Sequence, residues 1–363
     1  MKFRKVFMLS LVFSILISMS GCAENRELYE RLIIKAIGID KAGDAYSVTV
    51  RVADYAEDKE YNLSTSGKSV FEAMSDLQLA EGRAPMYSHS HFILFGREVL
   101  DNDLRACLDF FIRYYKAHPN VQIFAAEKTA AEILQYKNDD GFIPSDRMIK
   151  LSNAGDISGK AVSTSLMKLV SDSEEVSASA AIPLLNLTHN GAAITGSVLL
   201  KEYRFADMLS LKETTGLLAA EGELKKSVIS AESEKYGLIT AEVDSCKTKI
   251  SASDDYRIWQ IDIKSRMSLA SSSNGARDFT EDDFRELEAV FAAVIKNYVS
   301  SVIASSYSSG CDVLMLGRKI YFSDSNYWKE NSESWLSLMS TMQFNINVTT
   351  DIERLGEEDH SNK

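Results

Sequence analysis

The chain has 363 residues, of which 45% are hydrophobic and 25% charged, and its formal net charge is −12. This is the composition of a globular protein long enough for two or three domains. The acidic balance argues against binding nucleic acid, because phosphates require cationic partners, and against lying flat on an anionic membrane.

The N-terminus has the three parts of an export signal. Lys2, Arg4 and Lys5 form a basic start, residues 6–17 are almost wholly apolar, and small residues follow apart from Met19. The twelve residues of the apolar run are too few for a membrane span, because a spanning helix needs roughly 20. Residues 1–21 are therefore predicted to be a cleaved signal peptide.

A cysteine follows this signal directly. Met19-Ser20-Gly21-Cys22 resembles the lipobox of bacterial lipoproteins, although leucine is more usual than methionine at its first position. The thiol of such a cysteine takes a diacylglyceryl group, and two buried acyl chains make a stable anchor where one is marginal. Cys22 is therefore predicted to carry the lipid and to begin the mature chain; the alternative is a plain signal peptide with an incidental cysteine. Loss of the three cations in residues 1–21 takes the net charge from −12 to −15.

Three further cysteines are predicted to be structural. Cys107, Cys246 and Cys311 are far apart and odd in number, so they indicate no disulfide framework. Each is interpreted as a small buried hydrophobe.

Residues 22–151 are predicted to form an N-terminal α/β domain. Apolar runs or alternation predict strands at 32–40, 46–52, 89–95 and 121–125, and residues 54–67 are predicted to be a polar linker. Helices are predicted from Val70 to a stop at Gly82, over residues 104–115, and after the capping box that Thr129 opens. Strands that alternate with helices indicate a layered α/β or α+β arrangement.

The rest of the chain is divided by composition. Residues 152–180 are predicted to be a Ser-rich connector with a short helix, and residues 181–235 a small middle domain with a helix over 205–219. Residues 236–356 are predicted to be a C-terminal α+β domain with a long amphipathic helix capped by Thr280, and residues 357–363 a polar tail. The predicted fold class is thus α/β to α+β, with three domains of mixed sheets packed by helices on an N-terminal lipid anchor.

The sequence offers little catalytic or metal-binding chemistry. It contains no P-loop, GxGxxG, HExxH or GxSxG motif. His89 and His91 share one face of a predicted strand, but two histidines fall short of the three or four ligands of a metal site. Ser165 and Lys168 match SxxK, a pattern that is uninformative without KTG. Trp328 and Trp335, seven residues apart, are interpreted as core residues on one helical face. No enzyme activity, metal or cofactor is predicted, apart from the covalent lipid.

One family resemblance extends over nearly the whole chain. Residues 36–40, AIGID, resemble the GIGID strand and turn of the Ger(x)C family, the lipoprotein C subunits of spore germinant receptors. Positions that resemble the family's motifs are Gly38, Asp40, His89, Asp312, Gly317, Trp328, Trp335, Arg354 and Gly356, with the lipobox Cys22 before them. The chain departs from the family at Ala23-Glu24, where Trp-Asp is usual, and at Met19 of the lipobox.

The resemblance implies a three-domain protein that is not an enzyme. Such a subunit works with an integral-membrane A subunit and a transporter-like B subunit, anchored on the outer face of the inner spore membrane. Two other classes remain as alternatives. A solute-binding lipoprotein of a transporter would show two similar lobes, and an anchored hydrolase would need a nucleophile constellation.

Overall fold

The computed structural model describes residues 31–54, 57, 59–114, 119–138, 141–189, 191–273 and 279–353. The strands are β1 (Arg31–Ala42), β2 (Ala45–Asp54), β3 (Lys59–Gly67), β4 (Ala84–Met86), β5 (Phe92–Phe95), β6 (Gln122–Ala126), β7 (Lys137–Asn138), β8 (Gly141–Phe142), β9 (Ser179–Thr188), β10 (Gly191–Lys201), β11 (Arg204–Ser210), β12 (Ser227–Ser233), β13 (Gly237–Ala252), β14 (Ile258–Ser272) and β15 (Gln343–Glu353). The helices are α1 (Val70–Glu81), α2 (Arg97–Asn102), α3 (Leu104–Arg113), α4 (Ala130–Gln135), α5 (Ser145–Ile149), α6 (Ala154–Ser158), α7 (Leu166–Glu174), α8 (Leu211–Glu221), α9 (Glu281–Ser309), α10 (Leu316–Ser323), α11 (Ser325–Asn331) and α12 (Trp335–Ser340), with 3-10 turns at Lys150–Asn153 and Ser332–Ser334. Cys22, Arg354 and Gly356 lie outside the described residues.

Two large sheets and one small hairpin organise the fold. The larger sheet has the order β11-β10-β9-β6-β5-β1-β2-β3, with β4 also paired to β1. Its centre, where β1, β5, β6 and β9 are neighbours, is parallel, and both flanks are antiparallel hairpins. The smaller sheet has the order β12-β13-β14-β15, and β7 pairs with β8. The predicted class of mixed sheets packed by helices is confirmed.

The sheets do not follow the predicted boundary of a middle domain. Strand β9 pairs in parallel with β6 through Ala125–Leu184 and Ala126–Leu185, so β9, β10 and β11 complete the first sheet. A parallel neighbour requires a long crossover, and the predicted connector supplies it with α6 and α7. Residues 227–233 belong to the other sheet as β12. The described chain therefore has two sheet-centred halves, residues 31–210 and 227–353, joined by α8.

Two local predictions were wrong. The polar linker at 54–67 contains β3, whose Ser- and Thr-rich sequence suits a half-exposed edge strand. The helix predicted over 205–219 is strand β11 followed by helix α8. Ser210 begins that helix with a full capping box to Glu213, a local signal that the apolar spacing obscured.

Each sheet is covered by helices that bury its apolar face. One face of the larger sheet packs against α1, α2, α3 and α7, and the opposite face packs against α4 and α5. Successive side chains of β5 point to opposite faces of the sheet. Phe92 and Leu94 therefore join one core, and Ile93 and Phe95 join the other. The smaller sheet forms a third core with α8, α9 and α10, to which Leu199 and Leu209 of the larger sheet also contribute.

Helix α9 is the longest helix of the described chain. Thr280 caps it with a full capping box to Asp283, as predicted. Its buried stripe includes Leu287, Phe291, Ile295 and Val302 and packs against β15 and α8. By length and composition α9 is apolar enough to cross a membrane, a property that core helices of water-exposed folds share.

A buried arginine, which the sequence analysis missed, connects strands to helices in the first half. Arg51 is 1% exposed and donates to Asn62 Oδ1 at 2.5 Å and to the carbonyl oxygens of Leu134 and Ile143. Its ion pair with Glu60 spans 3.4 Å, and burial lowers the pKa of the guanidinium. These contacts fix the end of α4 and the segment before α5 against β2 and β3.

Replacement of this arginine should therefore be costly. We expect Arg51→Met to lower the free energy of unfolding by about 3–5 kcal/mol, because it removes the donor to the Ile143 carbonyl, one of two donors to the Leu134 carbonyl and the cationic partner of Glu60. Urea denaturation would measure the change. The control is Arg257→Met, whose side chain is 72% exposed and whose ion pair to Asp255 is long. Equal stability of the two variants would contradict the role of Arg51.

Candidate functional site

The first family motif holds helix α4 on strand β1. Asp40, at the end of β1, accepts hydrogen bonds from the amides of Ala130 at 2.7 Å and Ala131 at 2.9 Å. Thr129 adds a cap to the Glu132 amide at 3.2 Å. Burial raises the pKa of Asp40, while the two amide hydrogen bonds act in the opposite direction. Asp40 is thus a long-range helix cap.

The glycines around Asp40 permit this close approach. A Cβ atom on Gly38 would lie 2.8 Å from Leu134 Cδ1 and 3.0 Å from the Ala130 Cβ. A Cβ atom on Gly96 would overlap the Asp40 carboxylate. Residues 36–40 therefore serve close packing. Gly96, directly after β5, belongs to the same contact, and the sequence analysis did not connect it with Asp40.

The strand predicted over 89–95 is present from Phe92 to Phe95, but its first three residues were wrongly included. His89 lies in the preceding turn and is exposed, so it does not share a strand face with His91. His91 Nδ1 lies 3.3 Å from Asp146, and burial together with nearby Lys35 lowers the pKa of His91. Between the two histidines, the Ser90 hydroxyl donates to the Ile34 carbonyl at 3.0 Å. Among the described residues, no group of three or more His, Cys, Asp or Glu side chains is placed to hold a metal ion.

The second family motif centres on Asp312, which is 1% exposed. One carboxylate oxygen accepts from the Leu316 amide at 2.9 Å; the other accepts from the Gly317 amide at 2.8 Å and from the Ser177 hydroxyl at 2.7 Å. Burial raises the pKa of Asp312, and these three hydrogen bonds oppose that shift. The carboxylate thus caps α10 and binds the loop before β9 at the same time.

Next to the Asp312 carboxylate, Gly317 packs against Trp328, which in turn contacts Trp335. A Cβ atom on Gly317 would lie 2.8 Å from the Trp328 ring and 3.1 Å from Ser177 Oγ, so only glycine fits without displacement. The rings of Trp328 and Trp335 meet edge to face with centroids 5.1 Å apart. They were predicted to share one helical face, but Trp328 belongs to α11 and Trp335 to α12. The chain bends between them through a 3-10 turn, which residue spacing does not reveal.

We call the contacts of Asp312, Ser177, Gly317 and Arg318 the Asp312 junction. Ser177 belongs to the first half of the chain, between α7 and β9, and Asp312 to the second. The Arg318 amide also donates to Ser177 Oγ at 3.3 Å, and its guanidinium lies 3.6 Å from Glu175. The junction therefore fastens the two sheet-centred halves to each other.

A cleft of about 680 Å³ opens beside the junction, and Met315 and Arg318 form part of its wall. Its charged lining includes Lys168, Asp172, Glu221, Glu223 and Lys319. Lys168 pairs with Asp172 at 2.6 Å. Glu221 is exposed at the cleft, and desolvation by its neighbours, with Glu223 and Asp172 nearby, raises its pKa to about 7, although Lys168 and Lys319 act in the opposite direction.

The three described cysteines have no sign of activation. Cys107, Cys246 and Cys311 are buried and unpaired, as the sequence analysis expected. Burial raises the pKa of their thiols to about 12, about 11 and about 12, respectively. A thiol needs the thiolate form to act as a nucleophile, so these side chains are packing residues.

The fold and both motifs describe a multidomain α+β protein in which buried carboxylates cap helices. The fold resembles the crystal structure of the GerBC protein, with a TM-score of 0.57 and 20% sequence identity, over 87% of this chain and 96% of that one. Residues 24–187 match the model of the spore germination protein N-terminal domain, and residues 195–356 match the C-terminal domain model described as spore germination B3/GerAC like. The chain therefore belongs to the family of spore germination GerAC-like proteins, the germinant receptor C subunits, which confirms the resemblance.

Two curated relatives come from Bacillus subtilis. Spore germination protein B3 is 23% identical over 96% of this chain and 97% of its own length. Spore germination protein YndF is 22% identical over 88% of this chain and 80% of its own length.

Loss of the Asp312 carboxylate should destabilise the junction. We expect Asp312→Ala to lower the free energy of unfolding by about 3 kcal/mol, because it leaves two amides and a hydroxyl without an acceptor. Asp312→Asn should cost less, since it keeps one acceptor oxygen. Exposed Asp351→Ala is the control. Urea denaturation that ranks Asp312→Ala with Asp351→Ala would refute the role of the carboxylate.

The cleft should make stability depend on pH. The pKa of Glu221 is about 7 in the folded chain against an ordinary 4.5, so the folded state binds its proton more tightly. Its contribution is present below pH 4.5 and is lost as pH rises towards 7. Glu221→Gln, which cannot ionise, should therefore gain stability relative to the parent across that window, by about 1 kcal/mol after solvent screening in the open cleft. Thermal melts at several pH values would measure this, with exposed Glu242→Gln as the control. A difference that does not change with pH would contradict it.

Proposed function

We propose that this chain is the lipid-anchored C subunit of a spore germinant receptor. It is required for nutrient-induced germination, and it acts by assembling with the membrane-embedded A and B subunits as a partner, not as a catalyst. The observation that carries the proposal is that residues 24–187 and 195–356 match the two domain models of this family.

The anchor follows from the N-terminal sequence. Cys22 carries the diacylglycerol, and the body is held on the outer face of the inner spore membrane. Eight residues, 23–30, separate Cys22 from β1, and they reach at most about 30 Å when fully extended. The body therefore stays close to the membrane plane.

Charge favours protein neighbours over anionic lipid as the source of affinity. The net charge is −12 for the whole chain, so long-range attraction to anionic headgroups is not available. With the lipid as anchor, even a weak interface with a membrane subunit is effective at the resulting local concentration. Buried residues of the two family motifs support the fold, which leaves assembly to surface residues.

Deletion of the gene should abolish or delay germination in response to one set of nutrients. Agents that bypass receptors should still trigger germination, because the proposed role lies upstream of the shared machinery. The assay is germination scored across nutrients in a background without redundant receptors. Normal responses of the deletion strain to every nutrient would refute the proposal.

A Cys22→Ala variant tests the anchor separately. It should resemble the deletion and leave the membrane fraction, since it has no thiol to acylate. Ser18→Ala, outside the lipobox, is the matched control and should behave as the parent. Mass spectrometry of the mature N-terminus reports the modification, and pull-down from spore membranes should recover the A and B subunits with the parent. An unmodified Cys22 would remove the anchor from the proposal.

A further inference from the structure

A cluster of aromatic side chains reaches the surface of the first half between α1 and α3. We call Phe71, Tyr87, Phe110 and Tyr114 the aromatic patch. Ring centroids lie 4.8 Å apart for Phe71–Tyr114, 6.2 Å for Phe71–Phe110 and 6.2 Å for Tyr87–Phe110. Phe110 is buried beneath the others, while Phe71 is 50% and Tyr114 55% exposed. Fully covered aromatic side chains bury roughly 150–250 Å² each, so two half-exposed rings present a substantial apolar surface.

The patch is continuous with the point at which the chain enters the fold. Strand β4 pairs with the first residues of β1, and Ile33 is level with Met86. Tyr87 follows Met86 directly, and its ring contacts Phe110. Two ring contacts thus connect the start of β1 to the exposed Phe71. A lipid on Cys22, separated from Arg31 by eight residues, holds this part of the surface within about 30 Å of the bilayer.

The charged side chains next to the two exposed rings make contacts within the protein. Arg113, next to Tyr114, pairs with Asp109 at 2.5 Å. The Glu72 carboxylate, next to Phe71, accepts from the Lys68 amide at 2.7 Å. The Arg113 charge is thus paired, whereas the exposed Glu72 keeps its negative charge, so these flanking residues offer no cationic surround to anionic headgroups. The interaction of the patch with a partner must come from the aromatic surface itself.

We infer that the aromatic patch is an interfacial membrane contact that orients the anchored body on the lipid surface. Tyrosine suits this position because its amphipathic ring keeps its apolar body among acyl chains and its hydroxyl in the headgroup layer. Phenylalanine adds apolar surface that inserts beside it. The lipid on Cys22 supplies the affinity, and the patch selects which face of the body meets the bilayer. This inference rests on the proposed anchoring at Cys22.

The test uses the full lipidated chain in phosphatidylcholine vesicles that contain brominated acyl chains, which quench nearby tryptophan. Phe71→Trp places the probe in the patch. Leu238→Trp, at a 51% exposed apolar position in the other half, is the matched control. Because interfacial side chains insert roughly 5–10 Å, Phe71→Trp should be quenched at least about twofold more than Leu238→Trp, after subtraction of the parent signal. Adding phosphatidylglycerol should change the ratio little, since the contact is not coulombic.

Flotation of the same vesicles tests the lipid anchor separately from the lipid contact of the aromatic patch. A parent chain that does not float with vesicles overturns both the anchor and the orientation that depends on it. A chain that floats but is quenched equally at both positions overturns the lipid contact alone and leaves the anchor standing. Preferential quenching at residue 71 that Tyr114→Ser reduces supports the inference.

Discussion

One buried carboxylate determines how the two halves of this protein meet. Asp312 is almost fully excluded from solvent, and its three hydrogen bonds reach helix α10 and the Ser177 hydroxyl of the other half. A buried carboxylate is costly unless its acceptor capacity is filled. The donors are correctly placed only when α10 and the loop before β9 are both in position. The carboxylate therefore makes each half a condition for the order of the other, and Gly317 admits Trp328 into the same arrangement.

A second buried carboxylate caps a short helix in the first half. Asp40 caps α4 from a neighbouring strand, as Asp312 caps α10, and each carboxylate lies near a glycine that allows a close contact. Short helices with one or two turns are marginal by themselves. A charged cap together with close packing stabilises them where their own hydrogen bonds do not. The family motifs thus mark the places where short helices must be held, and they explain why acids and glycines recur in them.

Features that depend on nearby residues could be predicted from the sequence, and features that depend on distant contacts could not. The capping box at Thr280 and the apolar stripe of α9 are local signals, and both are present in the structure. Strand β3 was missed because its polar side chains find tertiary partners: Asn62 bonds to Arg51 on the neighbouring strand, and Glu60 to Ser145, 85 residues further along the chain. The joining of β9 to β6 depends on a pairing across roughly 60 residues, which no local pattern contains. Residues that cap or pack were recognisable as important, but no local pattern paired Asp312 with Ser177, Asp40 with Gly96 or Gly38 with Leu134.

The residues of the two motifs support the fold and are not on the surface. The Asp40 and Asp312 carboxylates and the glycines beside them make contacts inside the protein, so they are not available to contact another molecule. What remains exposed near the start of β1 is an aromatic surface, with Arg113 paired to Asp109 at one flank. If the body is anchored as proposed, its acidic charge gives it no long-range attraction to an anionic membrane that could set its orientation. In that proposal, short-range contact by the aromatic patch is the interaction that fixes which surfaces the body presents to membrane-embedded neighbours.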